Sequence, residues 1–129
     1  YQSLNRMEDA QAAALAALAR AEKAVAARPD DADALAFGAG LLAVLGETDR
    51  TKDWAERAVI IEPDDHYMHY NLACAFAILG EVELALDRLA QALGPRSVTS
   101  LKEYMLNDSD LDVLRDHPRY AAILKSLSE

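Results

Sequence analysis

A single cysteine, Cys74, means that no internal disulfide can staple this chain. Four prolines and five glycines in 129 residues are too few for a collagen-like or Pro/Gly-rich disordered chain. No apolar run approaches the roughly 20 residues of a membrane span. No basic, apolar, small-residue leader suggests secretion. The expectation is a soluble, cytoplasmic protein. Positive charge is also short: 13 Lys and Arg stand against 22 Asp and Glu, a formal net charge of -9. That balance opposes the phosphates a nucleic-acid binder must neutralise, and it opposes anionic lipid surfaces. Neither nucleic acid nor a membrane is an expected partner. Aromatics are only 6% of the chain, and alanine takes their place, with 26 residues in a composition that is 52% hydrophobic. Alanine is the best helix former and a poor strand former, so the expected fold class is all-α. The length suits one domain, able to bury about two thirds of its unfolded surface.

The chain repeats itself. Pro29-Asp30-Asp31 recurs as Pro63-Asp64-Asp65, and Leu45-Gly46-Glu47 recurs as Leu79-Gly80-Glu81, both at an offset of 34. Glu22-Lys23-Ala24-Val25 matches Glu56-Arg57-Ala58-Val59 at the same offset. Proline blocks continuation of the preceding helix, and aspartate is a good N-cap whose charge suits the positive end of the helix dipole. Gly46 and Gly80 each follow an apolar helical stretch, where a left-handed C-cap residue belongs. Each period therefore reads as helix, tight turn, helix: about Asp33 to Leu45 with about Thr48 to Ile61, then about Asp65 to Leu79 with about Val82 to Leu93. Small residues, Ala39, Ala55, Ala58 and then Ala73, Ala85, Ala92, stand where antiparallel helices approach closely. Leu35, Leu42, Leu45 and Leu72, Phe76, Leu79 fill the space between.

Asn71-Leu72-Ala73, Phe76, Leu79-Gly80, Ala85, Leu89 and Ala92 resemble the pattern of the tetratricopeptide repeat family, as do Ala39, Leu42, Leu45-Gly46, Ala55, Ala58 and Pro63. The resemblance implies an α-solenoid of antiparallel helix pairs that binds proteins. Residues 31–64 and 65–97 are the expected repeats, 1–30 a partial N-terminal repeat and 98–129 a helical C-terminal cap. Residues 8 to 30 carry Ala17, Ala21, Ala24 and Pro29 in register with a second repeat helix, while Tyr1 to Asp9 is too short and polar for a first one. Departures from the family pattern are Gly38 for Leu, Thr51 for Ala and Ser97 for Pro, with Pro95 two residues early. The first two are expected to weaken the first helix contact. In the tail, Val98 to Leu106 and Pro118 to Leu127 show helical spacing, with a short turn at Leu111 to Leu114 between them and Pro118 placed as a first helical residue. The segment from Asn107 to Tyr120 resembles the closing segment of tetratricopeptide arrays in bacterial signalling proteins, some of nucleotide-cyclase type. That implies the terminal module of a larger cytoplasmic bacterial protein. An open solenoid end independently requires an atypical cap.

The first helix of each pair lacks charge, from Ala34 to Leu45 and, with His69 neutral, from Tyr67 to Leu79. A helix that is apolar nearly all round should be covered nearly all round. Three covers are open: the chain's own flanks, a docked peptide or partner helix, or a second copy forming a homodimer. The candidate protein-binding residues are Phe37, Val44, Tyr67, Tyr70, Asn71, Cys74 and Ile78. The resemblance implies that Asn71 hydrogen-bonds the backbone of a bound peptide. It also implies that acidic C-terminal peptides are not recognised, because that mode uses Lys and Arg on these helices and none is present.

Chemistry finds little purchase. His66 and His69 with Cys74 lack the second ligand pair of a metal site. Asp108-x-Asp110-x-Asp112 opens like a calcium loop but has Val113 where Gly is needed and Arg119 where Glu is needed. Capping and pairing of Asp112 with Arg115 and Asp116 with Arg119 account for those charges. Asn107-x-Ser109 fits a glycosylation triplet, which means little without secretion. Cys74, inside an apolar helix, reads as a structural thiol of raised pKa. No phosphate-cradling loop or nucleophilic triad is present. No cofactor, metal or catalytic centre is expected, so the protein is not read as an enzyme.

Overall fold

The computed structural model describes residues 2–92 and 108–127, and among these every regular element is helical. They are α1 (Gln2–Ala27), α2 (Ala32–Val44), α3 (Thr48–Ile61), α4 (His66–Ile78), α5 (Val82–Ala92), a 3₁₀ helix (Ser109–Leu114) and α6 (Pro118–Leu127). The chain divides into two compact units, residues 1–63 and 64–129, and the boundary falls at the second Pro-Asp-Asp. No described helix is long and apolar enough to cross a membrane.

The same local chemistry sets both hairpins. Asp31 caps α2 by accepting from the Ala34 N–H at 3.0 Å, and Asp65 caps α4 by accepting from the Met68 N–H at 3.1 Å. At the far ends Gly46 and Gly80 have φ of 77° and 76°. This left-handed conformation lets two amides turn back onto the last helical carbonyls. Gly46 N–H donates to Ala43 and Glu47 N–H to Leu42; Gly80 N–H donates to Ala77 and Glu81 N–H to Phe76. Each helix end is thereby satisfied and reversed within three residues.

In the first unit α2 packs against both α1 and α3. Leu18, Ala21 and Val25 of α1, Leu35, Ala39 and Leu42 of α2, and Trp54, Ala55 and Ala58 of α3 are buried. Gly38, expected with Thr51 to weaken the α2–α3 contact, instead makes room for it, and Thr51 is accommodated within its own helix. A Cβ on Gly38 would fall inside the Trp54 ring at Cζ3 and Cε3, so the missing side chain is the seat of the indole. Thr51 is fully buried, and its hydroxyl donates to the Glu47 carbonyl at 2.8 Å. The helix expected from residue 8 begins at Gln2, and residues 2–9 are its first turns rather than a separate element. No proline or glycine between Gln2 and Ala27 breaks a helix, so polarity at its start does not end it.

In the second unit α4 packs against α5, and the 3₁₀ helix lies against α4. Leu72, Ala73, Phe76, Ala85, Leu86, Leu89, Ala92, Leu111, Leu114 and Tyr120 form its core. His66 Nδ1–H donates to the last carbonyls of α5, Gln91 at 3.3 Å and Ala92 at 3.2 Å. His69 is buried and accepts from the Arg88 guanidinium. His117 accepts the Arg119 N–H on Nδ1, capping α6, and its Nε2–H donates to Glu83. Arg119 donates to Glu83 and Asp87 of α5, both at 2.8 Å, rather than pairing with Asp116 as expected. The carboxylates that tertiary packing brings to it displace the local partner. The expected Asp112–Arg115 pair forms, at 2.7 Å. The helix expected at Val98 to Leu106, Leu93, Pro95 and Ser97 lie outside the described residues.

Candidate functional site

At 100° per residue, Tyr67, Asn71, Cys74 and Ile78 fall within one narrow strip of α4, and Phe37, Gly40 and Val44 occupy the corresponding strip of α2. Four large apolar side chains on these strips remain in solvent: Phe37 is 61% exposed, Tyr67 52%, Val44 45% and Ile78 44%. Asn71 is exposed as well. Five of the seven candidate residues therefore lie on the surface of their own unit.

Tyr70 and Cys74 do not. Tyr70 is 7% exposed and Cys74 half-buried. Both lie at the edge of the strip, beneath the start of the 3₁₀ helix. The Tyr70 hydroxyl donates to Asp108 Oδ2 at 2.9 Å, and the Cys74 thiol lies 3.5 Å from the same oxygen. Asp108 Oδ1 accepts the Asp110 N–H at 3.0 Å, capping the 3₁₀ helix. Arg115 holds the Asp108 backbone carbonyl at 2.8 Å, and it also donates to Asp112 and to the Tyr120 hydroxyl. This face of α4 is thus covered in part by the chain's own C-terminal segment, tied down through one carboxylate. The two residues are corrected from an open surface to an internal anchor.

Electrostatics follow from that placement. Burial, and then the hydrogen bond to Asp108, push the Tyr70 phenol above its ordinary range. Burial, and then the negative charge of Asp108, push the Cys74 thiol up. Asp110 is held above the usual carboxylate range by burial and by the Asp108 charge. Cys74 Sγ and carboxylate oxygens of Asp108 and Asp110 lie within 4.8 Å of one another, donor types that can bind a cation. The thiol instead donates a hydrogen bond to Asp108, so metal ligation by Cys74 would have to break that bond. His66 and His69 are taken up by α5 contacts and stand apart from this cluster.

The contact that sequence reasoning missed is the one between Asp108 and α4. Asp108 is legible as a local cap, but 38 residues separate it from Tyr70. The available signal was a pair of side chains with hydrogen-bonding ends, Tyr70 and Cys74, four residues apart on one face of a helix without charge. Compared with known proteins, the chain matches no family model, no curated protein and no solved structure.

Proposed function

We propose that the protein is a non-enzymatic protein-interaction module, an α-solenoid of tetratricopeptide type, whose first helices of each pair dock a partner peptide or helix. The observation that carries this reading is the exposure of Phe37, Val44, Tyr67 and Ile78 on two helices that have no Asp, Glu, Lys or Arg beyond their first turns. Large apolar side chains held in solvent at helical spacing are the feature expected of a helix-in-groove or peptide-docking surface. The 34-residue period and the twice-repeated pattern of Asp cap and left-handed Gly support the repeat assignment. A place as the terminal regulatory module of a larger cytoplasmic bacterial signalling protein rests on the resemblance of residues 107–120 alone.

Selection of a random peptide display library on the full chain tests the reading. Binders should be recovered, and Phe37→Asp should lose those of the α2 strip and Tyr67→Asp those of the α4 strip, each variant keeping wild-type helicity. Neither exposed position should change stability by more than about 0.5 kcal/mol. Undiminished binding by both variants, or a library that yields no binder, would sink the proposal. If wild type instead sediments as a concentration-dependent dimer that either variant abolishes, the strip carrying that substitution serves self-association.

A further inference from the structure

The chemistry of the docked partner can be read from the charges that border the strips, given the reading that the α4 strip docks a partner. Along α4 the strip itself is uncharged, but the Asp108 and Asp110 carboxylates stand beside its midpoint, within 4.8 Å of Cys74 Sγ. Asp64 is exposed just ahead of the helix. No cation among the described residues pairs with the side chain of Asp108 or Asp110. The nearby guanidinium of Arg115 makes its hydrogen bonds to Asp112, Tyr120 and the backbone carbonyl of Asp108, and its charge acts on the Asp108 carboxylate without an ion pair between them. Asp110 holds its proton more tightly than an ordinary carboxyl because of burial and the Asp108 charge.

The first unit by itself also carries acid at the head of its strip. Asp33, the residue that corresponds to Tyr67 at the 34-residue offset, is exposed at the head of the strip carrying Phe37 and Val44, and Asp30 is exposed before it. Charge also divides unevenly along the chain. Four basic and four acidic residues cancel over residues 1–30, so the whole net charge of -9 belongs to residues 31–129.

We infer that the α4 strip takes a basic amphipathic peptide, with apolar side chains covering Tyr67, Asn71 and Ile78 and a lysine or arginine meeting Asp108 and Asp110. An apolar strip supplies affinity for many sequences, and the bordering charge selects among them and steers their approach. An acidic peptide would bring like charge against the two aspartates, and a neutral one would leave the acidic border unmatched.

Three labelled peptides of about twelve residues test this by fluorescence anisotropy with the full chain. All share one Leu and Trp stripe at helical spacing, and their polar positions are Lys and Arg in the first, Gln in the second and Glu in the third. The basic peptide should bind at least about tenfold more tightly than the Gln peptide, and the Glu peptide more weakly than either. Its advantage should collapse when salt rises from about 0.1 M to about 1 M, which shortens the screening length from about 10 Å to about 3 Å. Asp110→Asn should weaken the basic peptide about three- to fivefold and leave the Gln peptide unchanged. That variant keeps the cap on the 3₁₀ helix, because Asp110 contributes its backbone N–H to it. Tyr67→Asp adds negative charge while removing an anchor, so it should weaken the basic peptide. Tighter binding by Tyr67→Asp would mean diffuse attraction alone and would overturn the inference. Equal binding of the Gln and basic peptides, lost in Tyr67→Asp, overturns the basic preference and leaves the docking reading intact. Absence of binding by all three removes both.

Discussion

One carboxylate, Asp108, accepts from the Tyr70 hydroxyl, the Cys74 thiol and the Asp110 amide, and so joins the 3₁₀ helix to α4. Removing it leaves the phenol under the 3₁₀ helix without its acceptor. Asp108→Ala should therefore cost about 1–3 kcal/mol in urea unfolding, and Asp108→Asn, which keeps an acceptor oxygen, noticeably less. The same site predicts a decline in stability at alkaline pH. Unfolded Cys and Tyr release their protons near about 8.5 and 10, whereas the folded chain retains both because burial and Asp108 oppose ionisation. The folded state then binds more protons than the unfolded one, so stability is full below the thiol's ordinary range and falls as pH rises through it. The urea midpoint should fall from about pH 8 upward, and Cys74→Ala should remove the lower part of that fall. A midpoint independent of pH up to about 10 would contradict the placement of Cys74, since the contribution of Tyr70 begins only above that.

At the scale of elements, the close contact of α2 with α3 is the place where a simple rule gives the wrong sign. Gly38 lies inside a helix, where alanine would ordinarily gain about 1 kcal/mol. Here the added methyl meets the Trp54 ring, so Gly38→Ala should instead lose about 1–3 kcal/mol by thermal or urea unfolding. In a double-mutant cycle with Trp54→Leu the two costs should be strongly non-additive, because the smaller side chain vacates the space the methyl needs. Additive costs would show that the glycine is conformational rather than steric. Element boundaries were readable wherever a local signal ends a helix. Thr48 to Ile61 and Pro118 to Leu127 coincide with the observed α3 and α6, and α2 and α4 end one residue before the expected Leu45 and Leu79. At the start of α2 the expected Asp33 lies inside the helix, which begins at Ala32 directly behind the Asp31 cap. The N-terminal helix was expected too short because no breaker marks its beginning.

Over the whole molecule, the 34-residue period, the all-helical class and the burial of Ala39, Ala55, Ala58, Ala73, Ala85 and Ala92 follow from residue order alone. Caps, left-handed glycines and apolar spacing act over a few residues, so the chain carries them wherever it is read. The uncharged character of α2 and α4 is equally local, and so is the acidic excess beyond residue 30. Which uncharged side chains are covered is another matter. Tyr70 and Tyr67 stand three residues apart on one helix, yet the first is buried under Asp108 and the second is in solvent. Gly38 looks like a flaw in its helix until Trp54 occupies it. Arg119 passes over Asp116 for Glu83 and Asp87. Each of these outcomes depends on a partner distant in sequence, and only the packed chain brings the two together.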